Sequence, residues 1–473
     1  MIARALLIAL TAASASAHIG SPDVFLEGSA GPYPMYVTIR PPSVIPGVAE
    51  IEIRCASPDI REIHVTPLPL VGEAARFAPT PDTMLRSKLD SQFFTGSLWM
   101  MAHGSWQVRI QADGSQGAGQ LSVPVPAVAT RTKPMQFALG VTMFVMMIVL
   151  AVGLVSIVGA GVREGQLEPG EAATSQSKRR ARLLMAATAA IVAFILWSGD
   201  RWWTAEASGY ALSLYQPLRM TATIQPDLRL SAEPHDQLVL ALTNPPWAVP
   251  RKIDDFLPDH GHLMHLYMIR QPDAARVWHL HPEMTSSGTF TQALPPVPAG
   301  EYQLYGDVVH HDGFGETMVA RLVVPADLAG TPVSGDDAAG IRGQSPDGSH
   351  IVWDRDPQPL KARQASLFKF RLVDRDGKPV EDAELYMGMS GHAAFVKNDG
   401  TVFAHVHPSG SVPMAALALA NPSGEDHSMH HMSGLPPEAD FPYGFPTPGD
   451  YRVIVQMKHR GVIETGIFDA KVE

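Results

Sequence analysis

Two histidines one residue apart stand in Trp278-His279-Leu280-His281-Pro282, and the pattern returns in Ala404-His405-Val406-His407-Pro408. Side chains alternate faces along a β-strand, so each His-x-His presents both imidazoles to one side of a sheet, a few ångströms apart. Two nitrogens so placed are part of a metal site. One such motif can arise by chance in a chain with 19 His, but the surroundings repeat as well. His265 aligns with His392, Gly300-Glu301-Tyr302 with Gly449-Asp450-Tyr451, and His311 before Glu316-Thr317 with His459 before Glu464-Thr465. We read a duplicated β-domain, each copy carrying one metal. The ligand candidates are His265, His279, His281 and His311 in the first copy and His392, His405, His407 and His459 in the second. His260, His262 and His310 stand in reserve, because a register shift of one residue changes which side chain faces the site.

Imidazole suits copper, zinc, nickel or iron, and thioether sulfur favours Cu(I). The chain has 21 Met and a single cysteine, Cys55, which excludes an intrachain disulfide and a Cys-rich cluster. Met264, Met284, Met387 and Met389 lie near the paired histidines, and an insertion at 421–446 carries Met429-His430-His431-Met432 between Pro and Gly residues. These donors point to copper, as Cu(I) and Cu(II), in preference to zinc. There is no Gly-x-Ser-x-Gly, no His-Glu-x-x-His and no phosphate-binding Gly loop, so no catalytic residue and no organic cofactor is assigned.

The elements that must position these groups follow from composition and hydropathy. With 41 Pro and 40 Gly in 473 residues, the chain predicts short strands, many turns and three or four domains. A net charge of −11 gives no reason to expect nucleic acid as a partner. Residues 1–17 combine Arg4, an apolar stretch and Ala15-Ser16-Ala17, the pattern of a cleaved secretory signal. Cleavage there leaves His18 first, where its amine and imidazole could chelate one metal ion. Residues 18–132 alternate apolar and polar over 35–39, 49–54, 60–65 and 106–111, as a small antiparallel sandwich does. His64 and His103 belong to it.

Two uncharged runs, 136–162 and 183–199, are of membrane-spanning length, with Trp197, Trp202 and Trp203 marking one interface. Arg163, Lys178, Arg179, Arg180 and Arg182 make the linker 163–182 cytoplasmic by the positive-inside rule. The repeats then occupy 205–326 and 350–473 outside the membrane, joined by a Gly/Asp/Ser-rich linker, 327–349. In the first, strands are predicted at 218–224, 237–242, 263–269, 289–294, 302–309 and 318–324.

Asp374-Arg375-Asp376-Gly377-Lys378-Pro379, followed by Tyr386-Met387-Gly388-Met389-Ser390-Gly391-His392, resembles secreted bacterial YtkA-like domains. An exported chain beginning at His18 is similar to CopC-type copper carriers. The resemblance implies immunoglobulin-like folds and copper handling outside the cytoplasm, with the N-terminal His as a Cu(II) ligand. The expected fold class is mainly β: three immunoglobulin-like antiparallel β-sandwich domains plus a two-helix transmembrane hairpin. The expected function is a membrane-anchored periplasmic protein that binds and delivers or sequesters copper. Its partners would be the lipid bilayer and a copper-dependent membrane enzyme or exporter. Two alternatives stay open, a copper His-brace oxidase or oxygenase using His18 and a passive membrane-anchored immunoglobulin-like interaction protein.

Overall fold

Apolar residues at every second place, with Gly and Pro between the runs, fold here into antiparallel strands. The computed structural model describes residues 23–168, 170–227, 235–247, 251–344, 348–422 and 435–473. The expected signal segment 1–17, His18, and the Met429, His430, His431 and Met432 cluster lie outside the described residues. Among the described residues the chain is mainly β, with six antiparallel sheets. It divides into two units, one built from residues up to Thr130 together with Tyr215–Glu473, the other from Arg131–Leu214.

The first part of the larger unit has a five-stranded sheet, in the order Val24–Ala30, Tyr33–Arg40, Gly47–Cys55, Phe93–Met100 and Leu85–Arg86. A four-stranded sheet runs Asp82–Thr83, Ile60–Pro69, Gly104–Gly114 and Gly117–Ala127. Each predicted strand of this region falls inside one of these. Cys55 is a buried free thiol, and burial pushes its pKa up. The edge strand also serves the far end of the chain. Phe25 joins the core of the second repeat, where its ring meets Tyr443 edge-on at 5.9 Å.

In the first repeat, Arg219–Asp227, His235–Thr243, Thr289–Ala293 and Glu283–Ser286 form one sheet. Phe256–Leu257, Gly300–His310, His265–Arg270, Arg276–Leu280 and Ala338–Ile341 form the other, with Gly315–Val324 paired to Gly300–His310. In the second, His350–Trp353, Ser366–Val373 and Glu438–Tyr443 form one sheet. Ala383–Glu384, Gly449–His459, His392–Lys397 and Phe403–Val406 form the other, with Val462–Val472 on Gly449–His459. Each pair of sheets encloses its own apolar core, around Leu240, Leu266 and Phe290 in the first and Phe370, Phe395 and Phe441 in the second.

The duplication is exact in register. His265 lies opposite Asp307, and Asp307 opposite Thr317. His392 correspondingly lies opposite Gln456, and Gln456 opposite Thr465. Phe256 pairs with His310 as Ala383 pairs with His459. The partner of His459 is therefore His310, and the pairing with His311 expected from sequence is displaced by one residue. The hairpin after His310 is one residue longer than its counterpart, which is what shifted the sequence alignment.

The His-bearing sheets of the two repeats pack on one another. Tyr267, Ile269, Val277, Tyr305 and Val319 of the first meet Ala394, Val396, Phe403, Ile454 and Ile467 of the second. By the registers above, these are the same five positions in each copy.

Three expected boundaries move. The linker 327–349 contributes the strand Ala338–Ile341 to the first repeat. A side chain at Gly340 would have its Cβ 2.4 Å from Thr465 Cγ2, so this strand requires glycine there. The insertion 421–446 ends in Glu438–Tyr443, a strand paired to Ser366–Val373.

In the smaller unit the helices are Phe137–Glu164 and Ser175–Ala211, both long and apolar enough to cross a membrane. The second begins well before residue 183, because Thr174 caps it by accepting from Ser177 N–H (3.1 Å) and the basic run that follows is made of good helix formers. Gly159 lies against Met185, where a Cβ would stand 2.4 Å from the sulfur.

Candidate metal centre

Both His-x-His motifs sit at strand ends facing the seam between the repeats, and His265 and His392 stand on the adjacent strands. His265, His279 and His281 are all buried and bring one ring nitrogen each within 4.8 Å of the others. His392 and His407 do the same with His260. His405 lies beside them, its Nε2 3.2 Å from His392 Nδ1.

The first group is oriented by partners that fix each tautomer. His265 Nε2–H donates to the Asp259 carbonyl (3.1 Å). His279 Nδ1–H donates to Gln456 Oε1 (2.8 Å), whose amide nitrogen is in turn held by Thr465 Oγ1 (3.3 Å). The Tyr386 hydroxyl, which donates to the Asp336 carbonyl (2.7 Å), lies 3.3 Å from the same His279 nitrogen. His281 Nδ1–H donates to Asp337 Oδ1 (3.0 Å). The nitrogens left over, His265 Nδ1, His279 Nε2 and His281 Nε2, carry lone pairs. His265 Nδ1 and His279 Nε2 are 3.2 Å apart. Two facing lone pairs repel unless a cation lies between them, and two ligands of one tetrahedral ion at Zn–N lengths stand ~3.3 Å apart.

In the second group, His407 Nδ1–H donates to the Val412 carbonyl (3.4 Å), and His260 is hydrogen-bonded to the Met387 backbone. The Nε2 atoms of His260, His392 and His407 are buried without a hydrogen-bond partner, as is that of His281. Buried nitrogens left this way call for a ligand.

Burial, and then the neighbouring imidazoles, hold His265, His279, His392 and His405 well below the ordinary histidine range. Burial brings His407 to about 3. The cluster is neutral at physiological pH, the state in which imidazole ligates metal. Asp307 lies on its other side, with Oδ2 3.4 Å from His405 Nδ1 and Oδ1 accepting from Thr317 Oγ1 (2.9 Å). Burial raises its carboxyl to about 7. A cavity of about 120 Å³, lined by Phe314, Pro413 and Phe403 among others, reaches Asp307 and His405.

The remaining candidates lie elsewhere. His311 is exposed. His310 is buried between Asp255 (2.9 Å) and Glu316 (3.0 Å), and His459 Nδ1 lies 3.5 Å from Asp382. Neither belongs to a three-histidine group. His64 contacts Thr83 (3.1 Å), and His103 accepts from Ala129 N–H (3.4 Å). Met264 and Met284 pack with the first repeat's core. His262 stacks on His281 at 4.0 Å with its Nε2 3.1 Å from Asp336.

Sequence reasoning missed Asp259, Asp307, Asp336, Asp337, Tyr386 and Gln456. Asp307 and Gln456 were within reach, since they hold equivalent places after the aligned Gly300 and Gly449. Asp336 and Asp337 were hidden in a segment whose composition reads as linker.

A search of curated proteins finds no match. Among solved structures, the chain is similar to a tetra-tandem repeat in the extending region of a large adhesion protein, with 9% identity, 95% of this chain and 82% of that one covered, and a TM-score of 0.16. It is similar to the Escherichia coli adhesin FdeC, at 10% identity, 94% and 100% coverage and a TM-score of 0.14. Salmonella alpha-2-macroglobulin reacted with methylamine gives 7% identity, 98% and 24% coverage and a TM-score of 0.20. Likenesses at these scores carry no argument about function. Residues 219–326 and 344–473, just over half of the chain and including every histidine of both groups, match the family described as a domain of unknown function, DUF8832, and the chain belongs to that family.

Proposed function

We propose that this is an exported metal-binding protein, tethered to a bilayer by the helices Phe137–Glu164 and Ser175–Ala211, that takes up and hands over copper through the histidines between its repeats. The observation that carries the reading is the set of neutral, buried imidazole nitrogens converging with no hydrogen-bond partner, each aimed by a partner on its other nitrogen. Copper is preferred to zinc because nitrogen sites bind Cu(II) more tightly in the divalent series, and the site has no thiolate to favour zinc. Each repeat has an apolar core of its own, so the metal is free to leave without unfolding the protein. The three-sandwich arrangement, the resemblance to YtkA-like domains and the placement of 18–132 and 205–473 outside the cytoplasm belong to the same reading.

The full chain, purified in detergent and stripped of metal, is expected to bind copper in the presence of excess zinc and release it to a copper chelator, with little change in the unfolding midpoint of the apo form. Absence of copper binding, or tighter binding of zinc, would overturn the assignment. Reporter fusions test the topology: a reporter active only outside the cytoplasm should work at the C-terminus and fail at residues 167–174.

Gln456→Leu tests the orientation argument. It removes the acceptor of His279 Nδ1–H while keeping the side-chain volume. Loss of such a partner lowers metal affinity ~10–100-fold. Isothermal titration of Gln456→Leu against the parent chain should show that drop at one class of site, and equal affinities would mean that Gln456 does not hold the ring.

A further inference from the structure

We infer that the two three-histidine groups act as one two-ion centre that staples the repeats together, each ion bound through side chains that the opposite repeat supplies or orients. This rests on the metal-binding reading above and adds that the ions are coupled. Two independent sites, one per repeat, would need no exchange of groups across the seam.

The exchange is visible in both directions. His260 belongs to the first repeat, yet its ring lies 5.0 Å from that of His392 and 4.8 Å from that of His407, both in the second. Gln456 and Tyr386 belong to the second repeat, yet they hold His279 of the first. Asp307 of the first repeat faces His405 of the second. No wall of apolar side chains divides the groups: the ring of His265 is 5.0 Å from that of His405, and the ring of His279 is 6.3 Å from that of His392.

The backbone at His260 supports the same conclusion. Asp259 and His262 exchange hydrogen bonds across a two-residue turn (2.8 and 3.0 Å), with His260 at φ 51 and Gly261 at φ 87. A non-glycine residue in this left-handed region is strained, and such strain gathers at ligand clamps. It carries the His260 ring over the seam to two imidazoles whose Nε2 atoms are otherwise unpartnered.

An ion in the second group therefore links the repeats directly, and an ion in the first group links them through Gln456 and Tyr386, which hold His279. Once the seam is fixed for one ion, less ordering remains to be done for the other, so binding of the two is positively coupled.

The test uses the full chain in detergent, loaded with Cu(II) from a simple salt, and three readouts: copper per chain by native mass spectrometry, electron paramagnetic resonance, and hydrogen exchange. The parent chain should take up two ions. Its spectrum at two equivalents should be broadened or diminished relative to two isolated Cu(II) centres, and exchange in Gly300–His310 and Gly449–His459 should slow on loading. His260→Ala should hold one ion, give an unbroadened spectrum and lose most of the added protection. His407→Ala removes a ligand from the opposite repeat and should behave the same way, which guards against a folding defect peculiar to the His260 turn. Two ions with the spectrum of isolated centres, or a His260→Ala chain that retains both ions with undiminished coupling, would overturn the shared centre while leaving metal binding intact. Absence of copper from the parent chain would overturn both.

Discussion

His279→Ala is expected to lower the affinity of the first group for copper by more than ~100-fold, since even the partners that orient a ligand contribute ~10–100-fold. His279 is the residue on which most of the geometry converges. Its Nε2 faces His265 Nδ1, and its Nδ1 is held from the second repeat by Gln456. Its ring also stacks on Tyr267 at 4.1 Å with planes 16° apart. Removing it takes away a candidate ligand, the ring packed on Tyr267 and the hydrogen-bond partner of Gln456 together. His279→Gln keeps a polar group in the space and separates ligation from packing. The check is competition against chelators of graded affinity. Copper held as tightly by His279→Ala as by the parent would show that the first group is not a ligand set.

Arg251→Met is expected to destabilise the larger unit by about 3 kcal/mol, at the lower end of the ~3–5 kcal/mol for breaking a buried ion pair by removing one partner. Arg251 pairs with Glu316, whose carboxylate is fully buried, and its guanidinium lies over Tyr215, Trp247 and Phe314, 4.8 Å from the Trp247 ring centre. Glu316 Oε1 also accepts from the Tyr215 hydroxyl (2.9 Å) and Leu218 N–H (3.0 Å), while Oε2 faces His310 (3.0 Å). His310 remains as a partner for the orphaned carboxylate, which is why the lower figure applies. Denaturant midpoints of Arg251→Met, Glu316→Gln and the double variant measure it. The double variant should be more stable than the two losses added together, because the uncompensated charge is gone.

The same network has a pH signature. Burial lowers the pKa of His310, but Glu316 and Asp255 outweigh it and hold it above its ordinary 6.5. The stability it contributes is thus fully present below about 6.5 and is lost as pH rises through the folded value. Burial raises Glu316, but His310 and Arg251 outweigh it and hold it below its ordinary 4.5. Its contribution is present above about 4.5 and is lost as pH falls through the folded value. The pair is strongest between the two, and His310→Gln should flatten the alkaline side of the profile.

How much of this was legible in the sequence depended on which periodicity carried it. The strands around His265 and His392 could be read because each is a short apolar run, set in the duplicate by the repeated Gly-x-Tyr landmarks. The two helices were legible from hydropathy, although the start of the second was not, since a basic run that favours the cytoplasm is equally good helix. His311 was chosen over His310 because a one-residue difference in hairpin length leaves no mark in composition. That the two histidine groups meet could not be read at all. A strand's pattern shows that a face is buried without showing what covers it. Tyr267 or Phe403 would look the same over a private core as over a neighbouring copy. His260 stands only in reserve in the sequence for a related reason, since its place in the second group depends on a turn that carries its ring into the other repeat.

The five matched positions at the seam also say something about descent. An interface in which the same patch meets itself is what a two-fold symmetric homodimer has, and a duplicated chain that keeps it carries both halves of such a dimer on one polypeptide. Covalent linkage removes the requirement that the halves be identical. The turn Asp259-His260-Gly261-His262 has its counterpart in Tyr386-Met387-Gly388-Met389, with the same exchanged hydrogen bonds and nearly the same dihedrals, φ 51 at His260 and φ 48 at Met387. One half therefore has a histidine where the other has a methionine, and Gln456 stands in one half where Asp307 stands in the other. A symmetric ancestor would have had two equal halves, whereas this chain is free to let its two halves diverge.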